Sequence, residues 1–204
     1  MLLTLRSHTV FIGALTFFLI SCSNIDQIES STPDQIASQV KVISEPEGNY
    51  KVVTGPLINV RAGFGKFSAN LLTGGGAGFG NSLFLEAKGS LEKDWSYRLI
   101  ASIQYTNLGG VYRHYDKAGI EGAPDLEVVI LDMDKQFTIN SINMTETLGI
   151  SIEQEILTNN LTTGFTFRIA DSSNNIEELN VPSSYIKGFL QAVENTQGIG
   201  YVPE

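Results

Sequence analysis

The most regular pattern in the chain is an alternation of period two over Trp95–Thr106. Trp95, Tyr97, Leu99, Ala101, Ile103 and Tyr105 fall on one side, and Ser96, Arg98, Ser102, Gln104 and Thr106 on the other, broken only by Ile100. That period predicts a half-buried antiparallel strand, one face on a core and one in water. Leu83–Gly89 alternates in the same way, and the polar stretch Ser90–Asp94 between the two predicts a hairpin with a longer loop. Tyr50–Thr54 and Leu57–Arg61 are short β-branched and aromatic runs divided by the turn pair Gly55-Pro56. Leu126–Met133 is apolar on both faces near its centre, as expected of a central strand. Phe137–Ile142 and Leu148–Ile150 read as further strands, followed by Thr163–Ala170, a polar turn at 171–175 and the return strand Ile176–Val181. Roughly eight to ten strands are expected.

Helical signals interrupt this texture. Ser151-Ile152-Glu153-Gln154 has the spacing of a capping box and predicts a short helix to about Leu157, ended near Asn159-Asn160. Near the carboxyl end, Ile186, Phe189, Leu190 and Val193 recur at helical spacing within Tyr185–Glu194, an apolar stripe suited to packing over the sheets. Residues 23–49 are rich in Ser, Gln, Asp, Glu and Pro and read as a tether, ~30 Å long as a flexible coil. Within it, Thr32-Pro33-Asp34-Gln35 predicts a short helix from Pro33 to about Gln39, with Ile36 and Val40 on one face. Together these elements predict a mainly β fold, an antiparallel β-sandwich or flattened barrel with a short internal helix and a C-terminal helix, built from residues 50–204 as one domain.

The amino terminus has a different character. Arg6 precedes an apolar run, Val10–Ile20, too short to cross ~30 Å of hydrocarbon as a helix. Such a run reads as a cleaved export signal. It ends in Leu19-Ile20-Ser21-Cys22, which resembles the lipobox of bacterial lipoproteins: an aliphatic residue, a variable one, a small one, then cysteine. The resemblance covers the first 22 residues alone. It implies that residues 1–21 are removed, and that Cys22 carries a diacylglycerol on its sulfur and an acyl chain on its new amine. Ser23 at the next position, in place of aspartate, implies an outer-membrane destination, or the outer face of the plasma membrane in a cell without an outer membrane. Cys22 is the only cysteine, so no disulfide forms within one copy. Several acyl chains on one residue, at ~0.8 kcal/mol per buried CH₂, give stable anchoring where one chain would not.

Charge and composition exclude more than they assign. The chain has 13 Lys and Arg against 22 Asp and Glu, a net charge of −9. Removal of residues 1–21 takes away only Arg6 among these. No Lys/Arg cluster occurs, so nucleic acid is not an expected partner. Of the two histidines only His114 survives cleavage, too few ligands for a typical zinc site, and no G-x-S-x-G turn supplies a nucleophile. No cofactor is expected. The glycine-rich stretch Gly74–Gly80 lacks the spacings of nucleotide-binding loops. With Gly63, Phe64 and Gly65 upstream it reads as a flexible loop or a glycine-bearing strand, with Phe64 and Phe79 as apolar tips.

Two constellations remain. Tyr112, Arg113, His114 and Tyr115, continued by Asp116 and Lys117, lie between Gly109-Gly110 and Gly119. Aromatic faces for stacking beside directional hydrogen-bonding groups suit a sugar, peptide or other small ligand. An edge strand with an exposed turn would have the same composition. Asp132 and Asp134 fall on one side of a strand end, where two carboxylates could hold calcium or perform acid–base work, with Asp125 and Glu127 as further candidates. Two solvated charges ending a strand would look the same. The expected function is therefore that of a lipid-anchored envelope protein with a non-enzymatic structural, assembly or interaction role. It would be attached to the membrane through Cys22 and would meet an envelope protein partner. A ligand binder using residues 109–119 and a carboxylate-dependent hydrolase are the alternatives.

Overall fold

The computed structural model describes residues 23–45, 50–60, 80–90 and 93–197. Cys22 with the expected export segment, and the glycine-rich stretch from Gly63 to Phe79, lie outside the described residues. The fold is mainly β and antiparallel, with an internal and a C-terminal helix, as the alternation predicts. Its strands are β1 (Ser23–Asn24), β2 (Lys41–Glu45), β3 (Tyr50–Thr54), β4 (Ile58–Val60), β5 (Asn81–Ser90), β6 (Lys93–Thr106) and β7 (Lys117–Ile120). They continue with β8 (Val128–Phe137), β9 (Ile142–Ile152), β10 (Phe165–Ala170) and β11 (Ile176–Val181). One sheet runs β1-β4-β5-β6-β9-β8, with β3 also on β5 and β2 on β3; the second runs β11-β10-β7. Among the described strands only the β1·β4 pair is parallel. The sheets do not close into a barrel.

Register explains the core. Leu85, Leu99 and Ile150 stand side by side on β5, β6 and β9, as do Leu83, Ala101 and Leu148, and all six are fully buried. The opposite face carries Glu86 paired with Arg98, and Ser102 3.0 Å from Thr147. Phe165, Phe167, Ile169, Leu179 and Val181 from the second sheet enter the same apolar cluster. The C-terminal helix, Ser183–Gln197, buries Tyr185, Ile186, Phe189 and Val193, close to the stripe read from the sequence. Its Tyr185 hydroxyl accepts from the Leu85 N–H at 3.0 Å and donates to the Pro56 carbonyl at 2.9 Å, pinning helix to sheet.

Several expectations are corrected. Residues 25–45 are no tether. They form α1 (Ile25–Ser30), α2 (Pro33–Ala37) and β2, with Ile28 and Ile36 fully buried. The Thr32/Gln35 capping box is present, and Gly188 permits close approach: a Cβ there would stand 2.5 Å from that of Ile36. With α1 and α2 counted, the C-terminal helix is α4 and the internal helix, Gln154–Asn159, is α3. Few apolar residues suffice to dock this segment, because Gly188 in α4 lets Ile36 sink fully.

The segment read as a central strand is instead β8, at the edge of its sheet and exposed over nearly its whole length. Its two-sided apolarity comes from an open edge and not from burial. Phe137 and Ile142 end β8 and begin β9 around a turn at 138–141, in which the Thr138 N–H donates to the Ser141 carbonyl at 2.9 Å, and Leu148–Ile150 lies within the eleven-residue β9. Ser151 does not cap α3: Ser151 and Ile152 finish β9, and the cap residue Glu153 makes no side-chain capping bond. The pairing of β5 with β6 extends to Ser90 and Lys93, further than the expected Ser90–Asp94 loop allows.

Candidate functional site

The core face of β9 runs Met144, Glu146, Leu148, Ile150, so a carboxylate stands in an apolar register, and Glu146 is fully buried. An unsatisfied carboxylate there would be costly. Glu146 is satisfied by the chain crossing from β6 to β7. The N–H groups of Arg113 and His114 donate to its Oε1 at 2.9 and 3.2 Å, and that of Tyr115 donates to Oε2 at 3.2 Å. The Tyr105 hydroxyl also donates to Oε1 and accepts from the Arg113 N–H at 2.9 Å. Three successive N–H groups converge because His114 adopts a left-handed conformation, φ 56°. This is the concave backbone arrangement that binds anions, here filled by the protein's own side chain.

A second carboxylate in an apolar register completes the cluster. Glu177 on β11 is buried alongside Leu179 and Val181. Arg113 Nη1 donates to the Tyr115 hydroxyl at 2.7 Å and to Glu177 Oε1 at 3.3 Å. Asn81 on β5 donates to Glu177 Oε2 at 3.2 Å and accepts from the Gln104 N–H at 3.0 Å. The Arg113 guanidinium stacks 4.3 Å above the Tyr105 ring, and the Tyr105 and Tyr115 rings meet edge to face at 6.1 Å. One polar network therefore ties β5, β6 and β9 of the larger sheet to β11 of the smaller one.

The electrostatics follow from this packing. Burial pushes the Tyr105 phenol above its ordinary range, and its bond to Glu146 adds to the shift. Burial also raises Tyr115, although its bond from Arg113 opposes the change. Burial opposes the charge on Arg113, but the Tyr115 hydrogen bond and the Glu177 carboxylate hold it above its ordinary value. Asp171, at the β10–β11 turn, accepts from the Asn175 amide at 2.6 Å and from the Ser173 and Asn175 N–H groups at 2.8 Å each. Burial works against its carboxylate, but these bonds hold it below the usual range.

Of the four residues expected to bind a ligand, Arg113 and Tyr115 thus face inward and are engaged in the network. His114 is exposed and Tyr112 half-buried, with their rings edge to face at 6.1 Å. Lys135 on β8 donates to the Gly110 carbonyl at 2.6 Å and lies 4.5 Å above the Tyr112 ring, joining the loop to the edge strand. Asp132 and Asp134 share one face of β8, opposite Thr147 and Thr145, and both are exposed. Among the described residues no group of three or more His, Cys, Asp or Glu is placed to hold a metal ion. An open groove of about 380 Å³ lies elsewhere, between α2 and α4, lined by Asp34, Ser38, Gln191 and Asn195 among others. Glu146 and Glu177 escaped the sequence reading. Their signal was an acidic residue inside an apolar alternation, present for Glu177 in Ile176–Val181 and visible for Glu146 once β9 is read as a single long strand. Comparisons with protein-family models, with curated proteins and with solved structures find no match to this chain.

Proposed function

We propose that this is a lipid-anchored envelope protein with a non-enzymatic, structural or interaction role, its domain held directly against the membrane. The supporting observation is the backbone of Ser23, the residue after the lipobox cysteine, which is already paired with Ile58 in β1. With α1 and α2 docked on α4, no slack chain separates the acyl chains of Cys22 from the sheet. No helix among the described residues is long and apolar enough to cross a membrane, and the lipid supplies the attachment. The polar cluster fits a rigid module, because its carboxylates are engaged in joining the two sheets. The expected outcome for Cys22→Ala is a folded protein recovered in the soluble fraction, against wild type in the membrane fraction. A variant that stays in membranes would defeat the lipid claim.

A second reading keeps a small-ligand site on the exposed His114 ring and the half-buried Tyr112 beside it. A glycan or peptide that raises the melting temperature of wild type, but not of His114→Ala, would favour it. Asp132 and Asp134 support hydrolysis least, since no wall of described residues encloses them.

A further inference from the structure

β8 is the outer strand of its sheet and, among the described residues, pairs with β9 alone. Val129, Leu131 and Met133 are each 40–50% exposed and Phe137 is 76% exposed. An edge strand aims alternate N–H and C=O groups at solvent, and here apolar side chains lie uncovered beside them. The register assigns its faces. Asp132, Asp134 and Gln136 stand opposite Thr147, Thr145 and Asn143 on the outer face; Met133, Lys135 and Phe137 stand opposite Glu146, Met144 and Ile142 on the other. The register shifts between Ile130 and Asp132, and the Leu131 side chain lies over Gly149, on the aspartates' side. Lys135 is turned to the Gly110 carbonyl and the Tyr112 ring, so it does not neutralise the aspartates across the strand.

A second copy fits this edge poorly. In a two-fold antiparallel pair, directly opposite residues share a face. Any such register centred on the middle of β8 therefore sets Asp132 against Asp134, or one of them against itself. Like charges directly opposite destabilise a strand pair. A strand with cations at those positions is favoured by the same geometry.

We propose that the open edge of β8 accepts an extended segment of a partner protein by strand addition. That segment carries two basic residues, two positions apart, opposite Asp132 and Asp134, with apolar residues between them on the face of Met133 and Phe137. Backbone hydrogen bonds supply the affinity and the alternating side chains the selectivity. The proposal rests on the interaction role argued above and names its surface and partner chemistry.

The test uses the full chain in detergent micelles and fluorescein-labelled peptides of sequence Thr-Val-Lys-Val-Lys-Val-Thr, with a second peptide carrying Glu for Lys. Anisotropy is expected to show the lysine peptide binding about ten-fold more tightly, the gap closing as salt rises. Asp132→Lys combined with Asp134→Lys is expected to invert the preference. Proline in place of the central valine should abolish binding, since it removes a ladder donor. Equal affinity for the two peptides, no binding, or a preference unmoved by the charge reversal would overturn the proposal. So would sedimentation of the chain alone as a dimer with exchange-protected β8 amides, which would make the occupant a second copy. These readouts do not depend on Cys22, so the anchor and the docking edge can fail separately.

Discussion

On one side of the larger sheet the outer strands are β1, of two residues, and β2, of five; on the other stands β8, with ten. The first side leads straight to Cys22, and the chain between β1 and β2 folds back as α1 and α2 against α4. The Ser184 hydroxyl donates to the Ile28 carbonyl at 2.9 Å, and the Gln191 amide to Asp34 at 2.8 Å. Short strands are one ordinary way to blunt an edge. At β8 the strand is long and its apolar residues are uncovered, with two aspartates to discourage self-pairing. Directly behind it, Glu146 faces Met133 across the strand pair, yet its carboxylate is wholly engaged while Asp132 and Asp134 stay in water. Neighbouring carboxylates thus divide into one that fixes the scaffold and two that are free to meet a partner.

The largest expected effect comes from removing the support behind β8. Glu146→Ala leaves the converging N–H groups of residues 113–115 without their acceptor and should lower stability by about 3–5 kcal/mol in urea unfolding. A loss below about 1 kcal/mol would show that the clamp is not what fixes this end. On the anchor side, Ile36→Ala empties a fully buried site and should cost about 2–5 kcal/mol. Gly188→Val should prise α2 from α4 at a cost of about 1–3 kcal/mol, making residues 25–45 the first segment cut by protease. A chain left uncut there would show that the docking of residues 25–45 does not depend on Gly188. Charge reversal at Asp132 and Asp134 should shift stability by no more than about 0.5 kcal/mol while inverting peptide preference, which separates docking from folding.

Two pH limbs sharpen the same contrast. Asp171 is held below its ordinary value of 3.8, so its contribution is present above that pH and lost as pH falls through the folded value. Asp171→Asn should flatten the acid limb of the stability curve. Tyr105 and Tyr115 are raised above 10.0, so their contribution is complete below that pH and lost at higher pH, as the unfolded chain ionises first. Tyr105→Phe should flatten the alkaline limb.

Much of the sheet was legible because β6 obeys a strict alternation, and because Phe165, Phe167 and Ile169 are set apart by polar neighbours. The β8 edge was not, since apolarity on both faces looks the same whether a strand is central or uncovered. Nor was the docking of α1 and α2, which depends on Gly188, more than 150 positions away in the sequence from Ile36. The binding-loop expectation assigned Arg113 and Tyr115 to a ligand. Only the fold shows that acidic residues on two distant strands draw them inward.

The proposed membrane-facing edge can be tested by depth. β1 and β8 are separated by five strand spacings, about 24 Å at ~4.8 Å each. Cys22 is the sole cysteine, so in the lipidated protein a single introduced cysteine labels uniquely. A fluorophore at Asp26→Cys in α1 and another at Met133→Cys in β8 would be compared in vesicles carrying a headgroup-level quencher. Strong quenching at position 26 with little at 133 is the expected result. Equal quenching at both positions, or none at 26, would contradict a domain held edge-on against its anchor.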